Sequence, residues 1–344
     1  MRVIAFFLSF ALFLQCAFSD VTLLSMNLAH LKRQGADGYE DWKSLVCSVI
    51  KETKADIVLL QEVPIELSKR ADTPIFKMPK KDNILDDFSS ELGGSWLYFS
   101  TAAYAIRKNM EVEGESYVSC DMNQNNAVLY NSRRVLGKDL SKTLGFADFS
   151  GDFLFDKNNV QSIEFRVSGN EKSRFVVINV HLPYNNASHR ERDLKTLERL
   201  FAHFKNREGV IVGGDFNTKR ADLSKRNFDG VDGDDGWYFD KNFGLKTTLS
   251  AKGEEIAFAN DYDHFLFSRK INVTKALVRA FVSGKADKIS QWNVAGKSFS
   301  SSAQIKKSLS DHIPVLITID VGSAALSDLT DILKKTAETF DSAE

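Results

Sequence analysis

Val210-Ile211-Val212-Gly213-Gly214-Asp215-Phe216-Asn217 is a β-branched run that breaks at two glycines and continues into polar residues. It reads as a buried strand over 210–212 that delivers Asp215 and Asn217 to the turn beyond it. Working outward, the same pattern recurs: an apolar strand closes on a residue able to do chemistry. Asn27 ends a strand over Val21 to Asn27, and Gln61-Glu62 end one over Ile57 to Val63. His181 ends one over Phe175 to His181, Asp263 lies in one over Tyr262 to Phe267, and Asp311-His312 precede one over Ile313 to Ile319. Strand ends are where a rigid sheet presents reactive side chains. Each residue alone is as well explained as a turn former, and Gly-Gly-Asp is ordinary turn composition. The joint occurrence carries the functional reading.

Between these strands the period changes to helical. Trp42, Leu45, Val46, Val49 and Ile50 share one face of a helix expected over Tyr39 to Lys54. A second helix is expected from Ser188, where Ser188 and Glu191 have capping-box spacing and Leu194, Leu197, Leu200, Phe201 and Phe204 form the inward stripe. Further strands are expected over Ala127 to Tyr130 and Val160 to Val167. Residues 64–120 give no clear assignment, and 218–260 read as a polar surface excursion with little regular structure. The chain is therefore α/β. No internal repeat or low-complexity linker divides it, which gives one catalytic domain over 20–322.

Arg2, the apolar run from Val3 to Phe18 and Ala17-Phe18-Ser19 have the form of a secretory signal peptide over 1–19, so a secreted or periplasmic location is expected. No later stretch is apolar enough to span a bilayer. A C-terminal tail over 323–344 reads as an amphipathic helix, with Leu326, Leu329, Ile332, Leu333 and Phe340 on one side. Hydrophobic residues make up 43% of the 344, enough for a large core, and the net charge of −1 argues against a broad cationic surface as the main activity. Removal of the signal leaves Cys47 and Cys120. Export permits a disulfide, but the place of Cys47 in a helical apolar stripe favours two separate buried thiols.

Six segments, in this order, resemble the signature motifs of the deoxyribonuclease I-like (endonuclease/exonuclease/phosphatase) superfamily. They are Ser25-Met26-Asn27, Leu60-Gln61-Glu62-Val63, Asn179-Val180-His181-Leu182, Gly213-Gly214-Asp215-Phe216-Asn217, Asp261-Tyr262-Asp263-His264 and Ser310-Asp311-His312-Ile313-Pro314-Val315. The resemblance runs from about residue 20 to 320. It implies a four-layer α-β-β-α sandwich with two packed mixed β-sheets. It implies that Glu62, helped by Asn27, binds a divalent metal, with Asp311 as a further acidic contact. Asp215 and Asn217 would orient the attacking water and the phosphate, Asp263 and His312 would form a carboxylate-histidine dyad, and His181 would contact the phosphate or the leaving oxygen. Asp215 and His312 both stand as general-base candidates.

Physical chemistry agrees with that set. Hard oxygen donors suit Mg²⁺, with Mn²⁺ or Ca²⁺ as alternatives, and the cysteines form no thiolate cluster for zinc. The chain departs from the deoxyribonuclease I branch at two places. Pro64 stands where that branch has an arginine that enters the minor groove. Gln124, with Asn125 or Asn126 nearly as good a match, stands where it has a glutamate that partners the histidine matching His181.

Three functions compete. The first is a secreted metal-dependent endonuclease acting on DNA, or on RNA, with Gln124, Asn126, Lys219 and Arg220 contacting substrate. The second is a sphingomyelinase-like or phosphoinositide-directed enzyme acting on a lipid headgroup, with Trp237-Tyr238-Phe239 as a membrane contact. The third is a non-catalytic binding protein, disfavoured because each core position holds a competent residue. Other basic runs, Lys77 with Lys80-Lys81 and Arg133-Arg134, read as solvated faces. No integral membrane association and no obligate protein partner is expected.

Overall fold

A computed structural model describes residues 20–28, 36–63, 84–101, 125–141, 144, 155, 160–205, 209–226, 245–250, 255–268, 271–277, 281 and 287–321. The signal segment, the tail over 323–344, Pro64, Lys77, Lys80, Lys81, Cys120, Gln124 and Trp237-Tyr238-Phe239 lie outside these residues.

Two sheets form the centre. The first holds β1 (Asp20–Asn27), β2 (Ile57–Val63), β3 (Trp96–Ser100), β4 (Asn125–Asn131), β11 (Asn272–Leu277) and β15 (Val315–Asp320), in the order β11-β15-β1-β2-β4-β3. The second holds β5 (Val135–Asp139), β6 (Val160–Val167), β7 (Asn170–His181), β8 (Gly209–Asp215) and β10 (Asp263–Phe267), in the order β10-β8-β7-β6-β5. The pairs β1–β2 and β7–β8 are parallel and the other pairs antiparallel. Both parallel pairs are joined through a helix, as parallel strands require. These are α1 (Ala36–Thr53) and α3 (Ala187–Lys205). The remaining helices are α2 (Ile84–Leu92), α4 (Arg220–Leu223) and α5 (Ser302–Ser308). Short strands β9 (Ile256–Ala257) and β12 (Lys288–Ile289) pair with each other, as do β13 (Trp292–Val294) and β14 (Lys297–Phe299).

The period of two along each strand sorts side chains into three apolar layers. Leu23, Ile57, Leu59 and Val128 from the first sheet meet Phe165, Phe175, Val177, Ile211 and Phe265 from the second. Leu24, Val58 and Leu60 face outward onto Trp42, Leu45, Val49 and Phe88 of the helices. Val176, Ile178, Val210 and Val212 face the other way, onto Leu194, Leu197, Leu200 and Phe201 of α3. Burial on both faces explains why Ile57 to Leu60 and Val210 to Val212 are continuous apolar runs rather than alternating ones. The architecture is the α-β-β-α sandwich expected from the sequence, and all five residues of the predicted α3 stripe are buried.

One boundary needs correction. The cap of α3 is Asn186, not Ser188: Asn186 Oδ1 accepts from the His189 backbone N–H at 3.1 Å and from Ser188 Oγ at 2.8 Å. An asparagine three residues before His189 satisfies a free first-turn N–H directly, which makes Ser188 a helical residue. Glu191 is occupied instead by the Arg226 guanidinium, which also reaches Glu198 at 2.7 Å. Cys47 is fully buried and unpaired, and burial pushes its thiol up to about 12, so it is an inert core residue.

Candidate active site

Toward the ends of β1, β2, β7 and β8 the layer between the sheets changes from apolar to polar. Ser25, Gln61, Asn126, Asn179 and Gln161 are buried there, and beyond them stand Asn27, Glu62, His181, Asp215 and Asp263. Both parallel pairs direct their C-terminal ends to this edge, with Asn27 beside Gln61 and His181 beside Asp215.

Asp215 is the hub. Its Oδ2 accepts from Asn27 Nδ2 at 3.0 Å, a bond that crosses from one sheet to the other. Its Oδ1 accepts from the Asn217 backbone N–H at 2.8 Å. Asn217, held in the left-handed region at φ +47°, donates from Nδ2 to Leu182 O at 2.7 Å and so ties the loop after His181 to the loop after Asp215. Asn27 Nδ2 also faces Glu62 Oε1 at 3.3 Å. His181 Nε2 lies 3.6 Å from Glu62 Oε1 and 3.8 Å from Asp215 Oδ2. His312 Nδ1 is 2.8 Å from Asp263 Oδ2, while its Nε2 lies 3.8 Å from both Asp215 Oδ2 and Asp311 Oδ1. The two imidazoles thus aim their Nε2 atoms at the same oxygen of Asp215.

The electrostatics divide these groups. Burial raises the Asp215 carboxyl and Asp263 adds to the rise. The two imidazoles oppose it, and the result is about 6. Burial alone would lower His312, but the Asp263 and Asp215 carboxylates and the bond to Asp263 outweigh it and lift the imidazole to about 10. At neutral pH Asp215 is therefore an anion and His312 a cation. His264 is a different kind of histidine. It is buried against Thr218 O, with Nε2 at 3.0 Å, and burial lowers its pKa, so it is a neutral scaffold residue.

Four carboxylates, those of Glu62, Asp215, Asp263 and Asp311, converge on two imidazoles, an excess of negative charge that a divalent cation balances. The ligand atoms of Asp215, Asp263 and His312 lie within 4.8 Å of one another. Asp263 and His312 are already committed to each other at 2.8 Å, so we read that triple as a dyad and its neighbour rather than a chelate. Glu62 and Asp311 are the carboxylates open to solvent, at 26% and 30% against 2% for Asp215 and 4% for Asp263. With Asn27 they offer the hard oxygens a cation needs.

The structure thus brings together all eight of the residues assigned from sequence to the metal and the chemistry. The four assigned to substrate fare differently. Lys219 is exposed and Arg220 half-buried at the start of α4, just past Asn217. Asn126 is fully buried and donates from Nδ2 to Asn179 O at 3.4 Å, which places it under the floor of the site rather than on its surface. Gln124 lies outside the described residues. Arg134 pairs with Asp56 at 3.1 Å and reaches Asp20 O at the far end of the first sheet, a structural role. Sequence reading missed the segment 247–249 inside the supposed excursion. Thr247 Oγ1 accepts from Asp263 N at 3.2 Å, Thr247 O accepts from Ile313 N at 2.9 Å, and Asp311 O accepts from Leu249 N at 2.7 Å. This segment stitches the Asp263 strand to Asp311-His312, and no apolar period announces it.

The family model described as the Endonuclease/Exonuclease/phosphatase family matches residues 24–312. No curated protein matches the chain. Among solved structures, a humanized D. rerio TDP2 is 14% identical at a TM-score of 0.51, covering 88% of this chain and 99% of that one. A mannosyl-6-phosphatase from Bacteroides thetaiotaomicron is 16% identical at 0.52, covering 87% and 99%. The human Nocturnin catalytic domain with a bound sulfate anion is 13% identical at 0.51, covering 88% and 94%. At such identities these likenesses speak for the fold alone. With the two-sheet frame, the convergent carboxylates and imidazoles and a family match across most of its length, the chain belongs to the endonuclease/exonuclease/phosphatase family, whose enzymes hydrolyse phosphoester bonds and are typically dependent on a divalent metal.

Proposed function

We propose that this protein is an exported, divalent-cation-dependent phosphodiesterase whose substrate is a nucleic acid, most simply DNA cut internally. The observation that carries the chemistry is the opposed pair of imidazoles, both with Nε2 at 3.8 Å from one oxygen of an ionised Asp215. An anionic phosphate entering this space meets the His312 cation on one side and the His181 ring on the other. Asp215, ionised above about pH 6, accepts the proton of the attacking water. As the water oxygen bonds to phosphorus, the bond to the leaving oxygen breaks, and that oxygen takes the Nε2 proton of the His312 cation, to which Asp215 then returns the water's proton. His312, held as a cation by Asp263, stabilises the charge that grows on the phosphoryl oxygens. It is the weaker candidate for the base because its proton is already on. Glu62, Asn27 and Asp311 would hold the cation. When bound, it supplies further charge neutralisation on the phosphate.

Support for nucleic acid comes from Lys219 and Arg220 directly after Asn217, a short basic rim on an otherwise balanced chain. Support for export is the sequence of residues 1–19. The test is nicking of supercoiled plasmid by the purified protein in Mg²⁺ and in excess EDTA, beside sphingomyelin and phosphoinositide assays. We expect nicking in Mg²⁺, none in EDTA, and loss of metal dependence of the rate in Glu62→Gln. Undiminished activity in excess chelator, or lipid cleavage with no nicking under any divalent cation, would overturn the proposal.

A further inference from the structure

Glu62 has an unusual backbone for a strand residue. Its φ is +53°, in the left-handed region that a non-glycine residue enters only under strain. The cause is a β-bulge. Leu60 pairs with Ala127 and Val63 with Asn125, so Gln61 and Glu62 on β2 stand opposite the single residue Asn126 on β4. A bulge turns Glu62 toward the site and interrupts the ladder beside it, so further contacts are needed to fix its form.

Those contacts come from the other sheet. Asn179, on β7 and fully buried, donates from Nδ2 to Leu60 O and to Ala127 O, each at 3.0 Å. These are the carbonyls of the last regular pair before the bulge. Its Oδ1 accepts from Gln61 Nε2 at 2.8 Å, and its backbone carbonyl accepts from Asn126 Nδ2 at 3.4 Å. One side chain and its own peptide therefore contact the bulge residue Gln61, the residue opposite it, and both carbonyls at its mouth. Asn179 also stands two residues before His181 and pairs with Gly213, two residues before Asp215. Asn179 joins the strands that carry His181 and Asp215 to the strand that carries Glu62, one layer below the gap bridged by Asn27 and Asp215.

We propose that Asn179 is a positioning residue: it holds the Glu62 bulge in its left-handed form and sets the spacing between the two halves of the site, acting through Glu62 without touching substrate. Its amide is the group needed because two donors must reach two carbonyls while one acceptor meets Gln61, an inventory that only Asn or Gln carries, and the shorter of these fits between sheets. The inference rests on the reading of Glu62 as a cation ligand, so the experiment separates the two.

Equilibrium Mn²⁺ binding to the purified full chain is measured by calorimetry for the wild type, Asn179→Asp, Gln61→Leu, Glu62→Gln and Phe165→Leu. Amide hydrogen exchange is followed on the same proteins in EDTA. Asn179→Asp keeps shape and acceptor but turns an oxygen on the two carbonyls. Its Mn²⁺ affinity should fall about 10–100-fold, the usual loss when the partner of a metal ligand is removed. Protection should fall at the bulge amides 61–63 and at Leu28, whose N–H bonds Gln61 O at 2.9 Å. Gln61→Leu removes the bond to Asn179 Oδ1, with the longer ones to Ser25 Oγ and Leu59 O, but keeps both carbonyl bonds of Asn179; it should show a smaller loss of both, and it decides the matter if Asn179→Asp does not fold. Phe165→Leu loosens the apolar layer between the sheets away from the bulge and should leave Mn²⁺ affinity unchanged. Affinity and bulge protection within twofold of wild type in the Asn179 variant, or equal losses in Phe165→Leu, overturns the proposal. If Glu62→Gln binds Mn²⁺ as the wild type does, the cation reading of Glu62 falls, and the exchange data alone judge the clamp.

Discussion

Replacement of Gly214 by alanine puts a methyl group against a backbone. At φ +137° Gly214 occupies a conformation that L-residues rarely adopt, and an added Cβ would stand 2.1 Å from the carbonyl oxygen of Val180 on the neighbouring parallel strand. A backbone carbonyl in a ladder cannot turn away as a side chain can, so β7 and β8 must separate where they carry His181 and Asp215. Overpacking of this kind costs about 1–3 kcal/mol and the strained φ about 1–3 kcal/mol more, on the order of 2–6 kcal/mol in all. At about 2–4 °C per kcal/mol for a domain of this class, the melting temperature should drop by roughly 5–20 °C. Gly213→Ala is the internal control. Its Cβ would meet Phe265 Cε1 at 2.4 Å and Leu59 Cδ1 at 2.8 Å, both side-chain atoms that can shift. Scanning calorimetry in EDTA should rank wild type above Gly213→Ala and that above Gly214→Ala. The Gly214 variant should also lose activity at temperatures where it is folded, because Asp215 moves relative to Asn27. A Gly214→Ala protein as stable as wild type, or more stable than Gly213→Ala, refutes the reasoning.

Three more outcomes follow from the same geometry. In chelator the protein should lose stability as pH rises. The His312 cation, raised from 6.5 to about 10, stabilises the fold fully below about 6.5 and gives that up on the way to 10, while Asp215, raised to about 6, has already become a costly buried anion. The loss should be on the order of a few kcal/mol between pH 6.5 and 9.5, and a flat melting temperature across that window would contradict it. Asp263→Asn should keep an acceptor near His312 but remove the charge, so the imidazole titration followed by NMR in EDTA should move from about 10 back toward the ordinary range; an unmoved midpoint would remove Asp263 from the dyad. Lys219→Ala with Arg220→Ala should raise KM for DNA and flatten its salt dependence while a small phosphodiester is cleaved as before, since neutralised phosphates release counterions; an unchanged salt slope would leave the basic rim without a role.

The strands and helices that were legible in the sequence are those with two buried faces or one clear stripe. β2 and α1 could be placed because apolar period is a direct image of burial, and the six motifs could be placed because each adjoins such an element. Thr247 to Leu249 could not, because its contribution to the site is backbone and hydroxyl hydrogen bonding, which leaves no period. Asn126 was expected to contact substrate, as a near match to the glutamate that partners the histidine in the deoxyribonuclease I branch. It is buried, and its amide is matched to Asn179 O. Glu62 was found by motif, but its left-handed backbone was invisible, since the bulge is a property of two strands in register and not of either alone.

The pairing of β1 with β15, Asp20 opposite Asp320, has a meaning for the life of the chain as it is made. The centre of the first sheet is built from the earliest and the latest of the described strands, and Asp311-His312 sit just ahead of the latter. Until that stretch has been synthesised, β1 lacks one of its two neighbours and Asp263 lacks its imidazole. A nascent chain that stops short of it carries Glu62, His181, Asp215 and Asp263 but not Asp311 or His312. Topology thus ties completion of the site to the arrival of one strand.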